Sequence, residues 1–375
     1  MYIPVGKPDI TNKEINEVVD VMKSGIFIEG HKVKEFESKI SKLFNAKYAI
    51  AVNSAESAFH LIVKALDINN GDQVITTPFN YVDPLNCFIA EGGIPVFVDI
   101  DPKSYNMDIN SIENNITEKT KVILASNSFG QPMDMETLRK IADKYKLYLI
   151  EDSCGAMTCK YNGNKIGEFS HATVINLAPN KEITTGEGGI LITNDKNMTD
   201  VSRSLRARNR IKMEEYVFHK NKGHNYKMSE LHAAIGCAQL ERLDEIVAEK
   251  KKVRDIYNEE LSNIRGIKIP YIYENVEING MTSYVILLDK GIDRQSIMNY
   301  LMDNGIECRA YFTPIHIQPY IKADFNYKQG AFPVTEDISN RTVALPFFNG
   351  LKRDKIEYIA KKIIEAIYIC EESKC

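Results

Sequence analysis

The chain has 375 residues, of which 44% are hydrophobic and 26% are charged, and its formal net charge is −4. This composition is ordinary for a globular protein, and the length suggests two or three domain-sized units. The small negative charge gives no chain-wide attraction to nucleic acid or to an anionic membrane, so we expect neither as a partner. No apolar run reaches the length that a bilayer-spanning helix needs.

The chain has seven cysteines, and no second Cys or His pair stands near any of them to complete a zinc site. We therefore predict no metal centre. Free thiols fit a reducing compartment, and the first residues lack the hydrophobic core of a signal peptide. Together these features predict a cytoplasmic protein.

Short β-rich runs alternate with helical patterns through the first two thirds of the chain. The segment from Glu56 to Leu66 predicts a helix, because its apolar residues recur at helical spacing, and Met135 to Tyr145 predicts another. Strands are predicted at residues 48–52, 74–77, 95–99, 121–125, 147–150, 172–177 and 189–193. This alternation predicts an α/β fold with a mostly parallel sheet that helices cover on both faces.

The pattern changes after a long predicted helix from Met228 to Lys252, where the lysine run 250–252 begins a charged stretch. A smaller α/β layer is predicted there, with a strand at 283–288 and helices at 293–304 and 354–369. We place the boundary near residue 245. This gives a large domain at 1–245, whose N-terminal segment can pack on the other domain, and a small C-terminal domain at 246–375.

Two residues indicate the chemistry. Lys181 precedes the glycine-rich run at 184–189, and Asp152 ends a predicted buried strand. Pyridoxal 5′-phosphate (PLP) needs a lysine that holds its aldehyde as a Schiff base and a carboxylate that keeps its pyridine nitrogen protonated. Ligands of open α/β sheets bind at the carboxyl ends of the strands, where Asp152 is expected. Alone, Lys181 is explained as a solvated loop lysine and Asp152 as a helix cap, so only the pair favours PLP.

Further motifs point to one family. They are the runs 92–101, 130–135, 151–152, 181–189 and 223–231, with Gly305-Ile306, Pro314-Ile315-His316 and Leu345-Pro346 in the C-terminal part. With these motifs the chain resembles the DegT-type nucleotide-sugar aminotransferases, which are PLP enzymes, over nearly its whole length. The resemblance implies a fold type I transferase. Its large domain would hold a seven-stranded, mostly parallel sheet between helices, followed by a smaller C-terminal α/β domain.

The resemblance implies a role for each matching residue. Lys181 would bond to the PLP aldehyde and move the proton between substrate carbon and cofactor, and Asp152 would pair with the pyridine nitrogen. Tyr81 would stack on the ring face; the alternative is a core tyrosine. Asn225 would reach the PLP phosphate of a partner subunit, which implies a homodimer with shared active sites. The alternative for Asn225 is a helix N-cap.

The segment expected to hold the cofactor phosphate departs from the family pattern. It has Ala55-Glu56 where the family has Gly-Thr, just before a helix whose amides attract an anion. The hydroxyls of Ser54 and Ser57 can substitute for the missing one, and we expect Glu56 to face away from the phosphate. Asn176 replaces a serine of the family on the phosphate side, and its amide can still donate a hydrogen bond.

Gly155 stands where the family has Gln or His, so a contact to the ring hydroxyl is expected to be missing. The chain keeps Lys181 where PLP-dependent sugar dehydratases have His, which favours transamination. The resemblance also implies substrate contacts from Arg309 and His316. We therefore predict an aminotransferase that moves an amino group from L-glutamate to a nucleotide-linked keto-sugar, in amino-sugar and surface polysaccharide biosynthesis.

Three other functions stay open. A nicotinamide-dependent Rossmann enzyme fits the alternation, but the segment 53–56 after the first clear strand lacks the Gly-x-Gly-x-x-Gly turn. A non-catalytic binding protein or sensor is favoured by the altered phosphate segment and disfavoured by the retention of Lys181 and Asp152. A PLP-dependent sugar dehydratase is the third. The sequence leaves open the nucleotide, the sugar, the carbon that is aminated and its stereochemistry.

Overall fold

The computed structural model describes residues 2–28, 30–213, 216–219 and 222–372. Within this part of the chain the α-helices are α1 (Asn12–Ser24), α2 (Lys32–Leu43), α3 (Ala55–Ala65), α4 (Asp83–Ala90), α5 (Met135–Tyr145), α6 (Lys196–Arg206), α7 (Glu230–Glu241), α8 (Leu243–Leu261), α9 (Arg294–Asp303), α10 (Pro319–Phe325), α11 (Pro333–Ser339) and α12 (Arg353–Glu372). The strands are β1 (Tyr48–Val52), β2 (Gln73–Thr76), β3 (Ile94–Phe97), β4 (Thr120–Ser126), β5 (Tyr148–Asp152), β6 (Lys160–Tyr161), β7 (Asn164–Lys165), β8 (Ala172–Asn176), β9 (Gly189–Thr193), β10 (Arg210–Met213), β11 (Tyr216–His219), β12 (Ile267–Lys268), β13 (Val276–Glu277), β14 (Tyr284–Leu288) and β15 (Thr342–Leu345).

A seven-stranded sheet forms the centre of the large domain, in the order β1-β9-β8-β5-β4-β2-β3. β9 runs antiparallel to β1 and β8, and the other neighbours are parallel. The predicted α/β fold with a mostly parallel sheet is therefore confirmed. Because parallel strands end at one edge, Ser126, Asp152 and Asn176, the last residues of β4, β5 and β8, lie along the same edge.

Helices cover both faces of this sheet. Leu149 and Ile150 are consecutive in β5 and fully buried, yet they belong to different hydrophobic clusters. Side chains alternate across a strand, so each of the two clusters fills one face. Phe59 and Ile62 of α3 pack in the cluster of Ile150, which places the N-terminus of α3 at a fixed position against the sheet.

The sequence predicts one helix from Met228 to Lys252, but the structure has two, α7 and α8, with a break at Arg242. The buried guanidinium of Arg242 donates hydrogen bonds to Glu14 at 2.9 Å and to Asp9 at 3.1 Å. These partners are distant in sequence, so the local helical pattern gave no sign of the break.

The small domain is built on the antiparallel sheet β12-β14-β15, with α8, α9 and α12 packed against it. Tyr257 of α8 and Tyr284 of β14 stack in its core with ring centroids 4.6 Å apart. Ile3 joins this core and forms a β-bridge with Ile306, so the N-terminal segment packs on the small domain. α8 runs through residue 245 into the same core, and the domain boundary near 245 stays a prediction.

In the described part of the chain, no helix combines the length and the apolar character needed to cross a membrane.

Candidate active site

A cavity of about 380 Å³ lies at the carboxyl edge of the central sheet, where open α/β sheets bind their ligands. Strand ends of the sheet, the N-terminus of α3 and the small-domain residues Tyr311 and Phe312 form its walls. It brings together most of the residues predicted to bind the cofactor. Those that line it are Ser54, Ala55, Glu56, Tyr81, Asp152, Asn176 and Lys181.

Asp152 is held rigidly at the end of β5. Its Oδ2 accepts hydrogen bonds from Asn80 Nδ2 at 2.9 Å and Ser126 Oγ at 3.2 Å, and its Oδ1 accepts one from the backbone N–H of Cys154 at 3.2 Å. The residue is 4% exposed. With its orientation fixed by these donors, the carboxylate presents a localised negative charge to the cavity. Neither Asn80 nor Ser126 was predicted as a partner, because neither is near Asp152 along the chain.

Lys181 lies in the loop between β8 and β9 and is half-buried at the cavity wall. The loop is pinned by the hydrogen bond from the N–H of Thr185 to the carbonyl of Leu177 at 3.0 Å. Gly189 follows, and a Cβ there would lie 2.4 Å from the carbonyl oxygen of Ser54. Glycine is therefore required for β9 to approach the start of α3. No described residue accepts a hydrogen bond from the Lys181 ammonium, so the amine is available to a ligand.

The charges of Asp152 and Lys181 both affect the pKa of the Cys154 thiol. Burial raises the pKa of the Cys154 thiol well above its ordinary value; the charge of Asp152 adds to this rise and the charge of Lys181 opposes it. Both groups are therefore close enough to act on one side chain. The structure thus places the two residues that the sequence paired at one site.

The start of α3 forms one end of the cavity. Ser54 caps the helix, because its Oγ accepts a hydrogen bond from the N–H of Ser57 at 3.1 Å. Ser57 donates its own hydroxyl to Asn53 Oδ1 at 2.7 Å and does not line the cavity. The Ser57 hydroxyl therefore has a partner within the chain, and its contact with a phosphate stays a prediction. The Ser54 hydroxyl lies 3.0 Å from the Ser57 hydroxyl, so it can donate its proton there or turn to an anion in the cavity.

Glu56 lies at the cavity rim with an exposed side chain. Its charge adds to the burial that raises the pKa of the Cys87 thiol to about 12. Asn176 accepts a hydrogen bond from the N–H of Ala178 at 2.8 Å through its Oδ1, which leaves the amide N–H groups as donors. Whether Glu56 faces away from a bound phosphate stays a prediction.

Gly155 also lines the cavity, and a Cβ at this position would lie 3.3 Å from the hydroxyl oxygen of Thr282. Thr282 belongs to the small domain and lines the same cavity. The space that a Gln or His side chain would occupy in the family pattern is therefore bordered by a threonine hydroxyl.

Tyr81 forms an aromatic wall of the cavity. Its ring is 52% exposed, which excludes the alternative of a core tyrosine. Phe312 packs edge-on against it with centroids 5.2 Å apart, and Tyr311 lies 6.4 Å away. The sequence did not indicate these small-domain aromatics, since no local pattern relates residue 312 to residue 81.

Asn225 is exposed in the segment before α7 and does not line the cavity of its own chain. The alternative of a helix cap is wrong, because α7 is capped by Ser229, whose Oγ accepts a hydrogen bond from the N–H of His232 at 3.3 Å. A role of Asn225 at the site of a second subunit stays a prediction.

The two residues expected to bind substrate lie in different surroundings. Arg309 is exposed and lines an adjoining cavity of about 350 Å³, where Glu307 lies 3.3 Å from its guanidinium. His316 is completely buried, its Nε2 is 2.9 Å from Glu336, and it packs edge-on against Phe332. The structure therefore does not bring His316 to either cavity, and a substrate contact from it is wrong for this conformation. A His in a proline-punctuated loop gave no local sign of its burial.

The groups around the main cavity fit PLP. The amides at the start of α3 suit a phosphate dianion, the buried carboxylate of Asp152 suits a protonated pyridine, and the unpaired amine of Lys181 suits an aldehyde. Fold and site together define a PLP-dependent transferase of fold type I.

Comparison with known proteins narrows this class. Residues 8–364 match the DegT/DnrJ/EryC1/StrS aminotransferase family. The chain belongs to this family, and it is an enzyme with PLP as its cofactor.

The relatives cover nearly the whole chain. A GDP-perosamine synthase of Escherichia coli O157:H7 is 33% identical over 368 residues, which is 97% of this chain and 98% of the relative. The spore coat polysaccharide biosynthesis protein SpsC of Bacillus subtilis is 31% identical over 379 residues, covering 98% and 96%.

Solved structures show the same fold. Helicobacter pylori PseC, an aminotransferase involved in the biosynthesis of pseudoaminic acid, superposes with a TM-score of 0.92 at 24% identity, covering 98% of this chain and 100% of that one. Spr1654 of Streptococcus pneumoniae in its PLP form superposes with a TM-score of 0.93 at 24% identity, covering 99% and 100%.

Proposed function

We propose that this enzyme transfers an amino group from L-glutamate to a keto group on a nucleotide-linked sugar. The observation that supports it most directly is the convergence of Lys181 and Asp152 on one cavity at the carboxyl edge of the sheet. Relatives of about one-third identity include GDP-perosamine synthases, and the name of these enzymes specifies a GDP-linked amino sugar as their product.

Each protein group has a distinct part in this reaction. When bound, PLP supplies an electron sink for the bond that breaks at the substrate carbon. The Asp152 carboxylate, fixed by its hydrogen-bond donors, keeps the pyridine nitrogen protonated. The Lys181 amine takes the proton from the substrate carbon of the donor and delivers one to the carbon of the acceptor. The Tyr81 ring limits the movement of the cofactor plane.

The space for substrate continues beyond the cofactor. The main cavity and the adjoining one share Tyr81, Asn180 and Tyr311 in their walls, so a ligand can extend from one into the other. Arg309 faces the adjoining cavity, and a guanidinium binds carboxylate or phosphate groups through paired hydrogen bonds. It therefore suits the carboxylate of the amino donor or the diphosphate of a nucleotide-sugar.

A homodimer is part of the proposal. Asn225 is exposed and outside the cavity of its own chain, so it can reach a cofactor phosphate only in a second copy. Light scattering should then give the mass of a dimer at assay concentration. A fully active monomer would contradict the shared site.

The decisive experiment is a substrate panel. Keto-sugar nucleotides that differ in base and in the carbon bearing the keto group are incubated with the PLP-loaded enzyme and L-glutamate, and aminated products are scored by mass spectrometry. We expect one sugar to be aminated with stoichiometric 2-oxoglutarate formation. Tight PLP binding without turnover on any member would instead favour the non-catalytic sensor, and loss of water from the sugar would indicate a dehydratase.

A further inference from the structure

A second, small cavity borders the loop that contains Lys181. Its volume is about 10 Å³, which is close to the space that one water molecule needs. Separate parts of the chain meet around it: the N-terminal residues 7–9, the loop 179–184, helices α7 and α8, and Phe347 with Asn349 of the small domain. The cavity therefore lies where the catalytic loop, the N-terminal segment and the small domain come together.

Glu182, the residue after Lys181, has one oxygen paired and one unpaired at this cavity. Its Oε2 accepts hydrogen bonds from the N–H of Thr158 at 3.0 Å and from the Thr158 hydroxyl at 2.6 Å. Its Oε1 is buried and has no partner in the described part of the chain. Buried polar atoms are nearly always hydrogen-bonded, so this oxygen requires a donor.

Asn349 and Lys250 supply the other unpaired groups. Asn349 donates its amide to Asp9 Oδ2 at 2.8 Å and to the carbonyl of Ile246 at 3.1 Å, but its buried Oδ1 has no partner among the described residues. Lys250 is 6% exposed, and its ammonium lies 5.5 Å from the ring centroid of Phe347. No described residue accepts a hydrogen bond from it. The residues that carry these two acceptors and this donor thus line a single water-sized space.

We propose that this cavity binds one ordered water molecule, which accepts a hydrogen bond from Lys250 and donates one each to Glu182 and Asn349. The water completes a polar link between the Lys181 loop, α8 and the small domain. Lys250 is thereby a positioning residue that acts on Lys181 through Glu182.

The surrounding charges favour water over an ion. Lys7, Lys181 and Lys250 line the cavity and repel a cation, whereas Asp9 and Glu182 repel an anion. Burial lowers the pKa of Lys250 to about 8, although the charges of Glu182 and Asp9 oppose this effect. Lys250 is therefore protonated near neutral pH and able to donate.

The site is tested first by direct observation. A crystal structure of the wild-type enzyme, at a resolution that shows ordered solvent, should contain one water within hydrogen-bond distance of Lys250 Nζ, Glu182 Oε1 and Asn349 Oδ1. A direct contact of Lys250 with Glu182, without solvent between them, would overturn the proposal. This measurement needs no variant and no turnover.

The positioning role is tested by hydrogen exchange of the cofactor-free protein. Lys250→Met keeps the aliphatic stem and removes the donor, so amides of the peptide 178–187 should exchange at least about threefold faster. Lys251→Met is the matched control, because Lys251 is exposed on the same helix and pairs with Asp255. The double variant E182Q/K250M should exchange no faster than K250M, since both changes break one link. Equal exchange in K250M and K251M would show that Lys250 positions nothing.

A kinetic measurement tests whether the water-mediated contact between Lys250 and the Lys181 loop affects catalysis. Only this measurement rests on the proposed function. K250M should lower kcat with little change in KM for the donor, because the donor site is intact while the Lys181 loop is less ordered. A substrate panel without turnover in the wild type would defeat the proposed function, whereas the solvent and exchange results would still decide the water site.

Discussion

Two buried glutamates flank the two residues that define the site, and they are held in different ways. Glu151 precedes Asp152 and Glu182 follows Lys181; both are fully buried, and burial raises the pKa of each. Both oxygens of Glu151 are paired, with donors from the large domain. Glu182 has donors for one oxygen only, both from Thr158, and its other oxygen is unpaired within the described residues.

The difference matches what each neighbouring residue must do. In the proposed function Asp152 has a static task, to hold a charge opposite one ring atom, and hydrogen bonds from Asn80, Ser126 and the Cys154 N–H fix its carboxylate. In the same proposal the Lys181 amine must change between covalent bonding and proton transfer. Its loop borders a cavity shared with α8 and the small domain. We infer that the Asp152 side of the site is preformed by the large domain, while the Lys181 side depends on contacts between parts of the chain.

The largest effect is expected from Lys181→Ala, which removes the amine itself. Transamination should fall by at least roughly 1000-fold, because both proton transfer and covalent attachment are lost. Stability should stay near that of the wild type, since no described residue accepts a hydrogen bond from this ammonium. Turnover assays, thermal unfolding and borohydride treatment followed by intact mass measurement check this, with the exposed Lys140→Ala as control. Normal turnover would remove Lys181 from its assigned role.

The next effect is expected from Asp152→Asn on the rigid side. Loss of one charged hydrogen bond is worth about 1.5–3 kcal/mol, so the rate should drop by roughly tenfold or more at about 1.4 kcal/mol per decade. The exposed Asp143→Asn on α5 is the matched control. An unchanged rate in D152N would mean that this carboxylate is structural. The comparison of a preformed Asp152 side with a Lys181 side that depends on other parts of the chain would then no longer concern catalysis.

The two residues at the centre of the site were predicted from the sequence. The strand ending in Asp152 and the glycine-rich run after Lys181 are local patterns, and local periodicity is enough to predict the helices and strands around them. The mostly parallel sheet then brings both residues to one edge, because parallel strands end together. Tyr81 was assigned only through the resemblance to the family, because no local pattern marks it as a cofactor contact.

The contacts that distinguish the two sides were not visible. Lys250 lies in a lysine run that predicts a solvated helix face, yet it is almost completely buried. The break at Arg242 and the burial of His316 depend on Glu14 and Glu336, which are remote along the chain or outside any periodic pattern. Such pairings are tertiary, so neither residue type nor spacing specifies them.

Stability measurements should separate the two glutamates. Each oxygen of Glu151 accepts from an N–H group, that of Asn127 or that of Gly167. Glu151→Gln must turn its NH2 toward one of them, so the free energy of unfolding should fall by about 2 kcal/mol. Glu182→Gln can turn its new N–H groups toward the small cavity, where the proposed water must reorient to accept them, and should cost about 1 kcal/mol or less. Denaturant unfolding of both variants checks this. The reverse order would show that the Glu182 side is the more tightly satisfied one.

The pH dependence of stability should report on Lys250. Burial lowers its pKa to about 8 from the ordinary value of 10.5. Between these values the unfolded chain binds more protons than the folded one, so this group makes stability rise with pH. Wild type should therefore gain about 1–2 kcal/mol relative to K250M between pH values of roughly 7 and 9.5. A constant difference between the two proteins would mean that Lys250 titrates as it does in water.

The smallest effect is expected at the rim of the preformed side, from Glu56→Thr. The start of α3 and Ser54 lie at the end of the cavity where a phosphate is expected, and the Glu56 side chain is exposed to solvent. If the carboxylate faces away from the phosphate, the substitution should change PLP affinity by less than about threefold, which is below roughly 0.7 kcal/mol. Equilibrium titration of the cofactor-free protein measures this, with Ser54→Ala as a comparison expected to weaken binding more.

Binding that tightens tenfold or more in E56T would show that Glu56 faces the phosphate, because two like charges about 4 Å apart at an effective dielectric near 20 repel by roughly 4 kcal/mol. The phosphate-binding end of the Asp152 side would then favour weak cofactor binding. It could no longer be described as preformed by the large domain, and the difference from the Lys181 side would not hold there.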